Sequence, residues 1–344
     1  MNTVPICYYA HGKPYFYLQF HINTECNLRC KHCYQETYEG KEDSQLSSEE
    51  INDIIEQFHN FSKIMGLRGV INFTGGEPLL DKKFEEYIKN TRERQMIAKV
   101  LSNGTLFSDT RAKSLKEADL NVVQVSIDGL RETHDNIRGE GAFDEALEGL
   151  KNCIANDLQT TVMMTVNKKN MYEVEPLVKL CTELGVKRFG CARMIPIGHG
   201  ALMKDESLTK EDVKQFFKYL VKVVKKYQKK IEFVIHDPVW LAYRKIRNSV
   251  GCSVGQFGLT VMHNGDIMPC RRMNTVIGNV RENNFLEIWH SDYFEPFRNR
   301  RLLEEQCSSC KSVKFCGGCR AIAKGVTGNE LAGDPHCFVY KGRK

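Results

Sequence analysis

The chain lacks any apolar run near the ~20 residues that span a bilayer, and residues 1–9 have neither the basic start nor the apolar stretch of a signal peptide. These absences argue against a membrane protein and against export, so the cytoplasm is the expected compartment. Low-complexity tracts and repeats of solenoid period are missing too, which excludes the disordered and repeat classes. Excess charge is small: 49 Lys and Arg against 43 Asp and Glu leave a formal +6. What remains is a globular composition, 42% hydrophobic and 27% charged, over 344 residues. That length suits one large domain with a smaller appendage, or two domains.

Cysteine is the residue in surplus, with 14 in the chain. In a reducing compartment clustered cysteines more often bind metal or do redox chemistry than pair as disulfides. Ten fall into two groups: Cys26, Cys30 and Cys33 near the start, then Cys252, Cys270, Cys307, Cys310, Cys316, Cys319 and Cys337. Cys7, Cys153, Cys181 and Cys191 are left over.

Between the groups, short β-rich runs alternate with longer helical patterns, the rhythm of a parallel sheet built from βα units. Six runs are predicted as strands: 16–23, 70–75, 100–103, 122–128, 160–166 and 188–196. Ser47-x-x-Glu50 reads as a capping box ahead of Ile51, Ile54, Ile55, Phe58 and Phe61 at helical spacing. Six units make a partial barrel rather than a closed eightfold one. Thr209-x-x-Asp212 caps a long helix whose outer face carries Lys214, Lys218, Lys222, Lys225, Lys226 and Lys229. With no aromatic residues interleaved, that face reads as solvated rather than as a nucleic-acid surface. The expected division is an extension over 1–15, the barrel over 16–200, a helical bridge over 201–250 and a Cys-rich domain over 251–344.

Thr24-Glu-Cys-Asn-Leu-Arg-Cys-Lys-His-Cys-Tyr34 has the spacing CxxxCxxC directly after the first predicted strand. Three thiolates on one loop can hold three irons of a 4Fe-4S cube and leave the fourth open to a ligand; a zinc site would want a fourth protein ligand and usually paired CxxC units. Thr74-Gly-Gly-Glu-Pro78, Ser102-Asn103-Gly104, Ser126-Ile-Asp-Gly129 and Asn167 follow in order at successive strand ends, where barrel folds build active sites. Together these segments resemble the radical S-adenosylmethionine (SAM) superfamily. The resemblance implies that Gly75, Gly76 and Glu77 meet the SAM amino group, that Ser102, Asn103, Ser126, Asp128 and Asn167 serve its carboxylate and ribose, and that Arg138 is a basic carboxylate contact. His32, beside the third cysteine, would pack near the adenine.

The second group resembles the SPASM extension, which holds two auxiliary 4Fe-4S clusters. By that likeness Cys307, Cys310, Cys316 and Cys337 would hold the outer cluster and Cys252, Cys270 and Cys319 the inner one, with an open iron or a further ligand. Two zinc sites in a structural ribbon are the other reading. Cys316-Gly-Gly-Cys319-Arg320 has two intervening residues where three are common, a variant of the quinone and haem-pathway branches. With three cubes bound, the formal +6 moves to about +2, so net charge carries no case for nucleic acid or membrane partners.

The resemblance implies an enzyme in which SAM on the open iron is cleaved by an electron to a 5'-deoxyadenosyl radical that abstracts hydrogen, while the auxiliary clusters take up an electron. The expected function is oxidative modification of a peptide or small protein, by thioether or other cross-link, with a flavodoxin or ferredoxin as reductant. Only 25 residues precede Cys26, too few for an N-terminal leader-binding domain, so a separate leader-binding protein is a candidate partner. The alternatives are maturation of a haem or quinone precursor, and redox-neutral peptide epimerisation. For the last, Cys191 is a candidate hydrogen donor, set against its reading as a small buried cysteine. Asp237, Asp266, His263 and Arg193 lie nearby and are expected to be solvated.

Overall fold

The computed structural model describes residues 9–10, 13–36, 38, 44–246 and 251–340; Cys7 and most of the expected 1–15 extension lie outside them. Among the described residues eleven strands form one sheet: β1 (Tyr9–Ala10), β2 (Lys13–His21), β3 (Arg68–Thr74), β4 (Ile97–Ser102), β5 (Val122–Ser126), β6 (Thr160–Val166), β7 (Arg188–Arg193), β8 (Glu232–Ile235), β9 (Gly258–Val261), β10 (Asp266–Met268) and β11 (Gly278–Asn279). The helices are α1 (Ser48–Ile64), α2 (Phe84–Glu93), α3 (Asp109–Glu117), α4 (Arg131–Arg138), α5 (Ala142–Ala155), α6 (Val174–Leu184), α7 (Lys210–Tyr227), α8 (Pro238–Arg244), α9 (Phe285–His290), α10 (Glu295–Arg298), α11 (Glu305–Ser309) and α12 (Arg320–Thr327).

Strands β2 to β7 are the six predicted ones, parallel and in chain order, each returning through helix on the outer face as βα connections require. Both capping boxes form: Ser47 and Glu50 start α1, Thr209 and Asp212 start α7. Residues 201–250 are not a purely helical bridge, because β8 adds a seventh parallel strand beside β7. The Cys-rich region is equally continuous with the barrel. Its strand β9 pairs in parallel with β2, and β10 and β11 follow antiparallel.

Alternation sorts the strand residues between two faces. Phe16, Leu18 and Phe20 of β2 point to the helices, with Phe16 edge-on to Phe61 at 4.9 Å and Phe73 edge-on to Phe84 at 5.6 Å. The other set faces the barrel lumen: Tyr17 and Gln19, then Asn72, Lys99, Gln124 and Met163, all half-buried because the lumen admits solvent.

Candidate active site

Pairing of β2 with β3 continues past both strands into the cysteine loop. Ile22 N donates to Thr74 O at 2.9 Å, Gly76 N to Asn23 O at 3.1 Å and Glu77 N to Glu25 O at 2.7 Å. The approach is so close that a Cβ on Gly76 would strike the Glu25 and Thr24 carbonyls, and Gly75 holds φ +156° against Asn23. The two glycines therefore seat the cysteine loop on the end of β3.

Glu77 is fully buried, and its carboxylate accepts from Ser102 Oγ at 2.9 Å, Asn103 N at 2.8 Å and Leu79 N at 3.2 Å. Burial pushes this carboxyl up to about 7. With its oxygens so engaged, Glu77 ties the end of β3 to the end of β4. Ser102 accepts in turn from Gly104 N, and Asn103 Nδ2 donates to Asn27 Oδ1 at 2.8 Å and approaches Cys26 Sγ at 3.9 Å. These side chains thus brace the cysteine loop from below.

Asp128, also fully buried, collects three elements. Its Oδ2 accepts from Arg138 Nε and pairs with His32 Nε2, each at 2.7 Å, and its Oδ1 accepts from Thr165 N at 2.7 Å. Arg138 and His32 hold the carboxyl well below the usual carboxylate range. His32 is accordingly a polar tether of the cysteine loop rather than a packing residue. Arg138 Nη1 lies 3.8 Å from Cys30 Sγ, so the guanidinium joins a buried carboxylate to a cysteine of the loop. Asn170, which the sequence reading passed over, donates from Nδ2 to Asp128 O and Thr165 O. Asn167 has its Oδ1 engaged by Lys169 and Asn170 while its buried Nδ2 has no partner, and Ser126 faces the lumen at the end of β5.

At the other end, Cys307, Cys310, Cys316 and Cys337 line one cavity with Gly317, Gly318 and Asp334. Cys252, Cys270 and Cys319 share a second neighbourhood: the Arg272 charge bears on Cys270 and Cys319, and Tyr17 is affected by Cys270 and Cys252. Tyr17 lies over Gly258 and its OH meets Ser253 Oγ at 2.7 Å, so it stands between the lumen and these cysteines. Buried arginines attend both groups. Arg320 Nη2 lies 3.7 Å from Cys307 Sγ and otherwise donates to the Glu330 and Ala332 carbonyls; Arg300 donates to the carbonyls of Cys252, Phe297 and Lys314. Neither forms an ion pair with a carboxylate among the described residues.

Two expectations need correcting. Cys191 shares its face of β7 with Phe189 and Arg193, in the core against the helices, whereas Gly190 faces Met163 on the lumen side. Alternation turns the thiol away from the lumen, and burial with the Asp237 charge pushes its pKa far up. Arg193 and Asp237 are not solvated either: Arg193 Nε donates to Asp237 at 2.5 Å and Nη2 to Asp334 at 2.9 Å, all nearly inaccessible. Cys153 and Cys181 are core residues of α5 and α6.

Residues 21–181 match the Radical SAM superfamily, and residues 252–311 match the iron-sulfur cluster-binding domain SPASM. A Fe-coproporphyrin III synthase of Methanosarcina barkeri is 31% identical over 353 residues, covering 94% of this chain and 87% of that protein. This chain belongs to the radical SAM superfamily. An AdoMet-dependent heme synthase of Oleidesulfovibrio alaskensis is 27% identical, covering 95% and 88%. Radical SAM relatives named for peptide chemistry, a PqqA peptide cyclase and mycofactocin maturase MftC among them, match at 24–28%. Streptococcus suis SuiB bound to precursor peptide SuiA has the same fold, with TM-score 0.76 and 18% identity over 94% of this chain and 76% of that one.

The radical SAM and SPASM domains imply a 4Fe-4S cluster with SAM and auxiliary iron-sulfur clusters. The residues fit these groups. Each cysteine set lies beside arginine, and Arg300 and Arg320 are buried cations lacking carboxylate partners, as anionic thiolate-bound clusters would require. Among the described residues no helix is long and apolar enough to cross a membrane.

Proposed function

We propose that this chain is a haem-pathway radical SAM enzyme that modifies a carboxylate-bearing side chain of an iron porphyrin precursor. The observation that carries the reading is the 31% identity to a Fe-coproporphyrin III synthase along 94% of the chain. The Cys-Gly-Gly-Cys-Arg segment agrees with that branch. When bound, the cluster of Cys26, Cys30 and Cys33 with SAM supplies a radical that abstracts hydrogen, and the auxiliary clusters supply an electron acceptor.

The chain's own residues contribute placement. Gly75, Gly76, Asn103 and Glu77 fix the cysteine loop over the strand ends. Arg138 offsets thiolate charge, while Asn167 Nδ2 and Ser126 offer polar contacts to SAM. Tyr17 and Arg272 set the inner cysteines beside the same lumen, so hydrogen removal and electron uptake serve one substrate. A flavodoxin or ferredoxin would deliver the first electron.

Peptide modification is the second reading, favoured by the relatives at 24–28% identity. Epimerisation through Cys191 is not retained. The test is anaerobic incubation of cluster-loaded enzyme with SAM, reductant and Fe-coproporphyrin III or its more carboxylated precursors, read by mass spectrometry. Loss of carbon dioxide together with two hydrogens, matched by 5'-deoxyadenosine, supports the reading. Unchanged porphyrins, with a mass change instead in a peptide encoded beside the gene, would replace it with the second.

A further inference from the structure

The lumen has one conspicuous chemical bias. Lys99 occupies the inward position of β4 in register with Asn72 of β3, half-buried among the strands, and its side chain forms no hydrogen bond or ion pair among the described residues. His236 follows β8 on the same face as Val234, opposite to the half-buried Phe233, and is open to solvent, its backbone N–H held by Cys191 O at 3.1 Å. Arg272, in the loop after Cys270, is close enough for its charge to bear on Tyr17 as well as on Cys270 and Cys319. Lys99 and His236 thus take inward positions of one sheet, and the charges of Lys99 and Arg272 both bear on the His236 ring. Burial lowers Lys99 to about 8, still mostly protonated at neutral pH.

Arg272 has the thiols of Cys270 and Cys319 beside it, but among the described residues Lys99 has no carboxylate partner. Of the inward positions on β2 to β8, the one acidic residue is Glu232, which is exposed and pairs with Arg188 Nε at 2.9 Å. Burying a cation without a counter-charge is unfavourable, and such groups are normally paired or hydrogen-bonded. A site of this kind is completed by what binds in it.

We propose that Lys99, His236 and Arg272 form the carboxylate anchor of the substrate site, gripping an acidic side chain remote from the one that reacts. Lys99 and Arg272 supply charge and His236 an N–H donor, and the half-buried Gln19, Asn72 and Gln124 on the same inward face supply polar contacts for further carboxylates. The anchor rests on the porphyrin reading for the identity of its substrate, but the site itself requires only a polycarboxylate.

Cluster-loaded protein would be titrated anaerobically with metal-free coproporphyrin III by fluorescence, and with benzene-1,2,4,5-tetracarboxylate by calorimetry. The tetramethyl ester of coproporphyrin serves as the uncharged control. Lys99→Met should weaken binding of both acids by about ten- to a hundredfold, the effect of losing a hydrogen bond to a charged group. Lys99→Arg should keep most of the affinity, and binding of the ester should not depend on Lys99. Iron content and circular dichroism verify the fold, and His236→Gln gives a second variant with a smaller loss. Lys99-dependent binding of the tetracarboxylate without coproporphyrin binding would support the anchor and sink the porphyrin reading. Equal affinities in wild type and Lys99→Met, or no binding of either acid by wild type, would overturn the anchor.

Discussion

His134 shows how much a single buried ring can report. It has no solvent exposure, its Nδ1 accepts the Asp128 backbone N–H at 3.1 Å and its Nε2 has no partner. Accepting at Nδ1 requires the neutral ring. Burial, with the Arg138 charge nearby, pushes its pKa down to about 4. An unfolded histidine titrates near 6.5, so between about pH 6.5 and 4 the unfolded chain binds a proton that the folded chain refuses. Stability from this residue therefore rises with pH across that window and is lost on acidification. Denaturant unfolding of cluster-loaded protein at several pH values should show a shallower slope for His134→Gln, by up to one proton. Identical slopes would mean that the ring is protonated in the fold. Asp128 carries the same sign at lower pH: its pKa is lowered too, so its contribution is lost only in stronger acid.

The loop from Asn23 to Tyr34 depends on its neighbour more than on itself, since its first hydrogen bonds run to the Thr74–Glu77 backbone. Gly76→Ala tests that dependence. The added methyl would enter the space of the Glu25 and Thr24 carbonyls, backbone atoms that cannot move aside without lifting the loop off β3. The expected result is loss of the SAM-site cluster, seen as a missing EPR signal and no 5'-deoxyadenosine, with the auxiliary clusters retained. Full iron content and normal SAM cleavage would show that the loop tolerates the shift. At this scale the sequence was informative where pattern and structure share a cause. Capping boxes at Ser47 and Thr209 and the six alternating runs became the elements they suggested. The strand over 232–235 was overlooked because four residues between a lysine-rich helix and a proline show little period. The ligand motifs were legible as an ordered set, but not their division of labour. Which of Glu77, Ser102 and Asn103 face a ligand and which brace one another depends on contacts 25 or more residues apart. Lys99 in Ile97-Ala-Lys-Val-Leu101 carried a signal, a lone charge inside an apolar strand, whose meaning needed the register with Asn72.

In the whole molecule, the contacts that join barrel and Cys-rich region include the β2–β9 pairing and Arg193 at the end of β7. Arg193 contacts two carboxylates from opposite directions. Asp237 uses one oxygen to cap α8 at Val239 N, 2.9 Å away, and Asp334 accepts from Cys319 N at 2.9 Å and His336 N at 3.0 Å. One guanidinium thus sets β7, α8 and the backbone beside Cys319 and Cys337. Ion pairs this deeply buried gain little over an apolar substitute as a set, yet removing one member leaves unpaired charge in the interior. Arg193→Met should therefore destabilise the protein by about 3–5 kcal/mol in anaerobic denaturant unfolding. Because Asp334 would lose its anchor, the damage should reach the auxiliary clusters first, lowering iron per chain while the cluster of Cys26, Cys30 and Cys33 persists. A loss below about 1 kcal/mol would mean that water already reaches these carboxylates. Equal loss of all clusters would instead show that the barrel cannot hold its own site once the C-terminal region is released, which is the behaviour expected if β2, shared by both, is the element on which the two halves depend.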